Sequence, residues 1–81
     1  MQDEKTEFLE KLLLRLARAY EEGKGHAVVL ENATSSEKEV VAELKAEGSI
    51  TGYPRGLRFT APGYSKYKTK IDALRLLRKS N

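Results

Sequence analysis

The side chains of this chain best suited to chemistry are cations set on regular supports. Lys38 and Lys45 fall seven residues apart in a helical pattern that opens at Ser35 and Ser36. Arg55 and Arg58 lie in and just after a tight turn between two short stretches. Lys68, Arg75 and Lys79 recur at seven- and four-residue steps farther on, with Arg78 at the edge of the same face. Ammonium and guanidinium groups on such supports make charge-assisted hydrogen bonds to phosphate oxygens. Short polar groups such as Ser35 and Ser36 suit the reading of base edges. For every one of these residues a solvated surface charge is the competing reading. Tyr64 and Tyr67 interleave with Lys66 and Lys68, a pattern that can stack bases. Both tyrosines also fit the buried stripe of a helix, and packing is the better account of them.

Other chemistries find little footing. His26 is the single histidine, and no serine stands with a base at the spacing of a nucleophilic site. The carboxylates are spread along helix faces rather than gathered beside apolar pockets. Gly23-Lys24-Gly25 lacks the surroundings of a phosphate loop. One histidine among scattered acids is a poor metal site, and there is no cysteine to supply a thiolate. The expectation is therefore a non-enzyme with no cofactor and no metal.

Composition narrows the class further. Eighty-one residues make one domain, 1–81, with a small core and a thin stability margin. With 40% apolar and 33% charged residues, the chain is globular in character and densely charged at its surface. No apolar run reaches membrane-spanning length, and the N-terminus is acidic where a signal peptide is basic, so a cytoplasmic protein is expected. The net charge of +3 conceals an asymmetry. Up to Glu47 there are seven Lys/Arg against eleven Asp/Glu, a balance of −4; from Gly48 there are eight against one, a balance of +7. The basic half either faces an anionic partner, nucleic acid first among them, or is matched by the acidic half within the fold.

The supports follow from periodicity. Phe8, Leu9, Leu12, Leu13, Leu16, Ala17 and Tyr20 recur at three- and four-residue steps and predict a helix over 3–22, ended by glycine at Gly23. Leu14 falls off that stripe and reads as exposed. Residues 26–33 carry too few apolar positions to separate a short strand from a short helix. Thr34 or Ser35 caps a helix over 35–47 that buries Val40, Val41 and Leu44, with Gly48 closing it. Its other faces carry Lys38, Lys45, Ala42 and Ala46, but also Glu39, Glu43 and Glu47, which oppose a phosphate surface. Residues 49–60 read as a β-hairpin, with Ile50, Leu57 and Phe59 inward and Tyr53-Pro54-Arg55-Gly56 as its turn. A last helix over 63–79 buries Tyr64, Tyr67, Ile71 and Leu74. Ala73, Leu76 and Leu77 lie outside that stripe and make the helix a candidate dimer contact.

The order helix, short apolar segment, capped helix, hairpin, helix resembles a winged helix-turn-helix domain. A leucine, then a glycine followed by an apolar residue, then L-x-x-T-x-x-G recur in many bacterial members. Leu44, Gly48, Ile50, Leu57, Thr60 and Gly63 match that pattern. The resemblance implies an α+β fold of three main helices with a short hairpin wing. It further implies a DNA-binding regulator, with the helix 35–47 in the major groove and the hairpin against the backbone. The expected partners are duplex DNA and a second copy met through the terminal helices. Some winged helices bind RNA or proteins instead, so a protein-interaction module is the alternative.

Overall fold

The computed structural model describes residues 4–23, 26–52 and 56–79, with the side chains of 78 and 79 outside that description. The first helix, α1, spans Glu4–Glu22, with Glu4 and Glu7 in the turn where carboxylates complement the helix dipole. Its Leu12, Leu13, Leu16 and Ala17 are buried, as the spacing predicts. Gly23 ends the helix at φ +64°, a conformation that costs glycine nothing. Leu14, expected to be exposed, is half-buried against the core.

Residues 26–33 form neither a helix nor a full strand. Val28 alone pairs with Leu57 in an antiparallel bridge, exchanging N–H···O=C bonds of 2.8 and 3.0 Å. That settles the ambiguity of the sequence in favour of extended chain, and the backbone turns beyond it through Asn32 at φ 55°.

The second helix, α2, spans Ser35–Ala46. Thr34, rather than Ser35, is its cap. The Thr34 hydroxyl accepts from the Glu37 N–H at 3.2 Å, and the Glu37 carboxylate accepts from the Thr34 N–H at 2.9 Å. At the other end Ser49 N–H reaches the Leu44 carbonyl and Gly48 N–H the Lys45 carbonyl, each at 3.0 Å. With Gly48 at φ +81° this is a Schellman close, which satisfies carbonyls the helix would leave unpaired.

Two short strands follow, β1 (Ile50–Thr51) and β2 (Arg58–Phe59), antiparallel, with Ile50 opposite Phe59 and Thr51 opposite Arg58. Ile50 and Phe59 point into the core and Thr51 and Arg58 outward. The last helix, α3, spans Ala61–Lys79 and begins two residues earlier than its periodicity predicts. The reason is Thr60. Its carbonyl accepts the Tyr64 N–H at 2.9 Å and its hydroxyl accepts the Gly63 N–H at 3.1 Å, so it is an N-cap. Pro62 then occupies a position whose N–H has no intrahelical acceptor.

The core lies where α1 crosses α2, β2 and α3. Leu12, Leu13 and Leu16 from α1 meet Val40, Val41 and Leu44 from α2, Ile50, Leu57 and Phe59 from the strands, and Ile71 from α3. Tyr64 and Tyr67 are half-buried beside them. The layout is α+β, three helices with a two-stranded sheet among the described residues, and it is consistent with a winged-helix arrangement. No described helix is long and apolar enough to cross a membrane.

Candidate functional site

Apart from Glu37 of the capping box, the helical period sorts the charges of α2 and its C-cap Glu47 into two edges on either side of the buried Val40, Val41 and Leu44. Glu39, Glu43 and Glu47 lie on the edge facing α1 and α3. Glu39 forms an ion pair with Lys5, and Glu43 lines a crevice shared with Lys5, Thr6, Leu9 and Tyr67. Glu47 accepts hydrogen bonds from the Lys66 ammonium, from the Ser49 hydroxyl at 2.8 Å and from the Tyr67 hydroxyl at 3.0 Å. The Lys66 hydrogen bond is the main reason the Glu47 carboxyl sits below its ordinary pKa, and the Ser49 and Tyr67 donors act the same way against partial desolvation. The Lys66 ammonium is held above its ordinary value in return.

The opposite edge carries Lys38 and Lys45. With Val41 and Ala42 they form one wall of an open groove of about 390 Å³, whose other wall is Leu30, Asn32 and Ala33. Lys38, Ala42 and Lys45 are exposed, while Leu30 and Ala33 are half-buried. The two serines at the start of α2 part company. Ser35 is exposed, whereas Ser36 is half-buried and lines a crevice with Glu4, Glu7, Phe8 and Lys11, where carboxylates oppose an anion.

The remaining sequence-predicted cations belong to the hairpin and to α3. Arg58 is exposed on β2 opposite Thr51. Arg55 and the side chain of Lys79 lie outside the described residues. Lys68 pairs with Asp72 one turn along α3 at 2.8 Å, and that carboxylate holds its ammonium above the ordinary value. Its ammonium also stands 5.8 Å from the centre of the Tyr64 ring. Arg75 grips Glu21 through both guanidinium nitrogens, at 2.7 and 2.9 Å, in the two-point geometry that makes such pairs strong. These bonds, reinforced by the Tyr64 hydroxyl, lower the Glu21 carboxyl to about 2, and they raise Arg75 and Tyr64. Lys68 and Arg75 each meet a carboxylate of their own chain. Part of the charge asymmetry is matched internally, through Glu21 with Arg75 and Glu47 with Lys66.

A second basic group escaped the sequence reading. Arg15, Arg18 and His26 line a shallow crevice of about 250 Å³ beside Val28. Arg15 donates to the Val29 carbonyl at 3.3 Å, and Arg18 and His26 both approach Glu22, at 3.0 and 3.8 Å. The three-residue step from Arg15 to Arg18, off the apolar stripe of α1, was the available signal. The Leu30–Ala33 wall of the α2 groove had none, because nothing local tells where an extended segment will lie. Among the described residues no cluster of histidine and carboxylates is placed to hold a metal ion. No family model, curated protein or solved structure matches the chain.

Proposed function

We propose that this chain is a small winged-helix regulator that binds duplex DNA, chiefly through phosphate contacts from the lysine edge of α2 and from the hairpin. The observation that carries this reading is the division of α2 into two edges. The carboxylates that would repel a phosphate surface are on the far edge, and two of them, Glu39 and Glu47, are already paired with Lys5 and Lys66. An approaching strand meets Lys38 and Lys45 with only small side chains between them, and Arg58 adds a contact from β2. Arg55 extends that set in the sequence of the turn. The side chains that make two-point contacts to bases, arginine, asparagine and glutamine, are missing from α2, so affinity rests on charge rather than base readout. A cytoplasmic location accords with this role. A homodimer through the terminal helices, using the exposed Leu76 and Leu77 of α3, would present two such surfaces to one duplex.

The test is a titration of labelled random-sequence duplex followed by anisotropy over a series of salt concentrations. About four phosphate contacts give a log–log salt slope of roughly −3.6, and changing Lys38 and Lys45 together to methionine flattens it by about 2. Absent binding, or binding indifferent to salt, defeats the reading.

A further inference from the structure

We infer that the groove between α2 and residues 30–33 receives an acidic amphipathic helix of a partner protein, which excludes DNA from Lys38 and Lys45. The second half of that statement rests on the DNA reading; the first does not.

Three features of the groove point to such an occupant. Its lining is mainly hydrocarbon: Leu30, Ala33, Val41 and Ala42 supply the walls, with Asn32 as the only uncharged polar side chain. A phosphate backbone covers the lysines but leaves that surface wet, whereas apolar anchors at i, i+3, i+4 and i+7 of a helix cover it. Its volume, about 390 Å³, falls within the range of sites that enclose a ligand group. Its charge is of one sign. Lys38 and Lys45 stand on the same wall, two helical turns and roughly 10 Å apart. They match carboxylates placed seven residues apart on a partner helix.

Two other crevices among the described residues lack this combination. The crevice between the first turns of α1 and α2 mixes Glu4, Glu7 and Glu37 with Lys5 and Lys11 around the single apolar Phe8. The crevice beside Val28 sets Arg15 and Arg18 against Glu22 and has little apolar lining. Leu76 and Leu77 are exposed near the end of α3, 66% and 64% open to solvent.

The experiment uses a fluorescein-labelled helical peptide of about twelve residues, with leucine at i, i+3, i+4 and i+7 and glutamate elsewhere, titrated with the whole protein without DNA. Binding in the micromolar range is expected, weakened about tenfold or more by Ala42→Glu, which sets a carboxylate in the groove. Because Ala42 is exposed, that variant keeps its circular-dichroism spectrum. Unlabelled peptide then displaces labelled duplex from the wild-type protein. No binding at millimolar concentration, or equal binding to Ala42→Glu, overturns the groove assignment and leaves the DNA titration standing. Peptide seated in the groove with duplex still bound overturns the exclusion. Peptide binding that depends on Ala42, from a protein that takes up no duplex at any salt, supports the groove and defeats the DNA reading instead.

Discussion

The junction of β1, β2 and α3 and the lysine edge of α2 are close in sequence, but their residues are constrained very differently. At the junction each polar group answers another. The Thr60 hydroxyl lies 2.7 Å from the Gly48 carbonyl and 3.1 Å from the Ser49 carbonyl and donates between them, while accepting from the Gly63 N–H. The Thr60 N–H donates to the Ser49 carbonyl at 3.0 Å. Gly63 lies so close to that carbonyl that a Cβ there would stand 1.9 Å from its oxygen. On the lysine edge Lys38, Ala42 and Lys45 are exposed to solvent. Of the six residues behind the winged-helix resemblance, Leu44, Ile50, Leu57 and Gly63 are buried, Thr60 is a half-buried cap and Gly48 an exposed helix close, and none of them lines the lysine edge. A motif of this kind therefore speaks to packing and capping and says nothing of activity.

Substitutions in the two regions should separate stability from binding. Gly63→Ala gives the largest effect, about 3 kcal/mol or more of lost stability, because helix N-terminus and backbone carbonyl cannot occupy the space together. A shift of the urea midpoint measures it, and a near-neutral result would show that the junction can part without cost. Thr60→Val keeps the side-chain volume and removes the hydroxyl, so about 2 kcal/mol is expected, mostly regained in Thr60→Ser.

A smaller effect comes from the tie between α1 and α3, and it depends on pH. Glu21 titrates at about 2 in the folded protein against an ordinary 4.5, so its contribution is full above pH 4.5 and is lost as pH falls from there to about 2. With both partners 36% exposed, solvent screening limits this contribution to about 1 kcal/mol. Wild type and Glu21→Gln should differ by that much in urea unfolding at pH 7 and converge by pH 2; a constant gap would locate the effect elsewhere. Least of all, the double change of Lys38 and Lys45 to methionine should move stability by no more than about 0.5 kcal/mol. That variant should nonetheless bind duplex with its log–log salt slope flattened by about 2, and a large loss of stability would merge the two regions the structure separates.

The legibility of the sequence followed the range of the interactions. The α1 stripe, the Thr34–Glu37 box and the Gly48 close are settled within a turn or two of chain, and their patterns state them openly. Val28 is an extended residue only because Leu57 is there to pair with it, which no local pattern records. The pairing of the basic residues on α3 was hidden for the same reason. Arg75 looks like a surface cation until Glu21, 54 residues away, is brought against it. Likewise, the acids of α2 look like an obstacle to phosphate until Lys5 and Lys66 arrive from other helices. Burial patterns are local and survive in a sequence; charge pairing across a fold does not.

The stacking of Tyr20 on Tyr64, with ring centres 4.4 Å apart, and the grip of Arg75 on Glu21 have a consequence for how the protein is made. The leucine-rich helix is synthesised well before Tyr64 and Ile71, the residues of α3 that cover it. At ordinary rates of translation that interval is roughly 3–10 s. During it the apolar face of α1 has only α2 and the hairpin to shelter against. Closure of this core therefore waits on residues 64–71, and a chain stalled before residue 64 leaves that face open to chaperones and proteases.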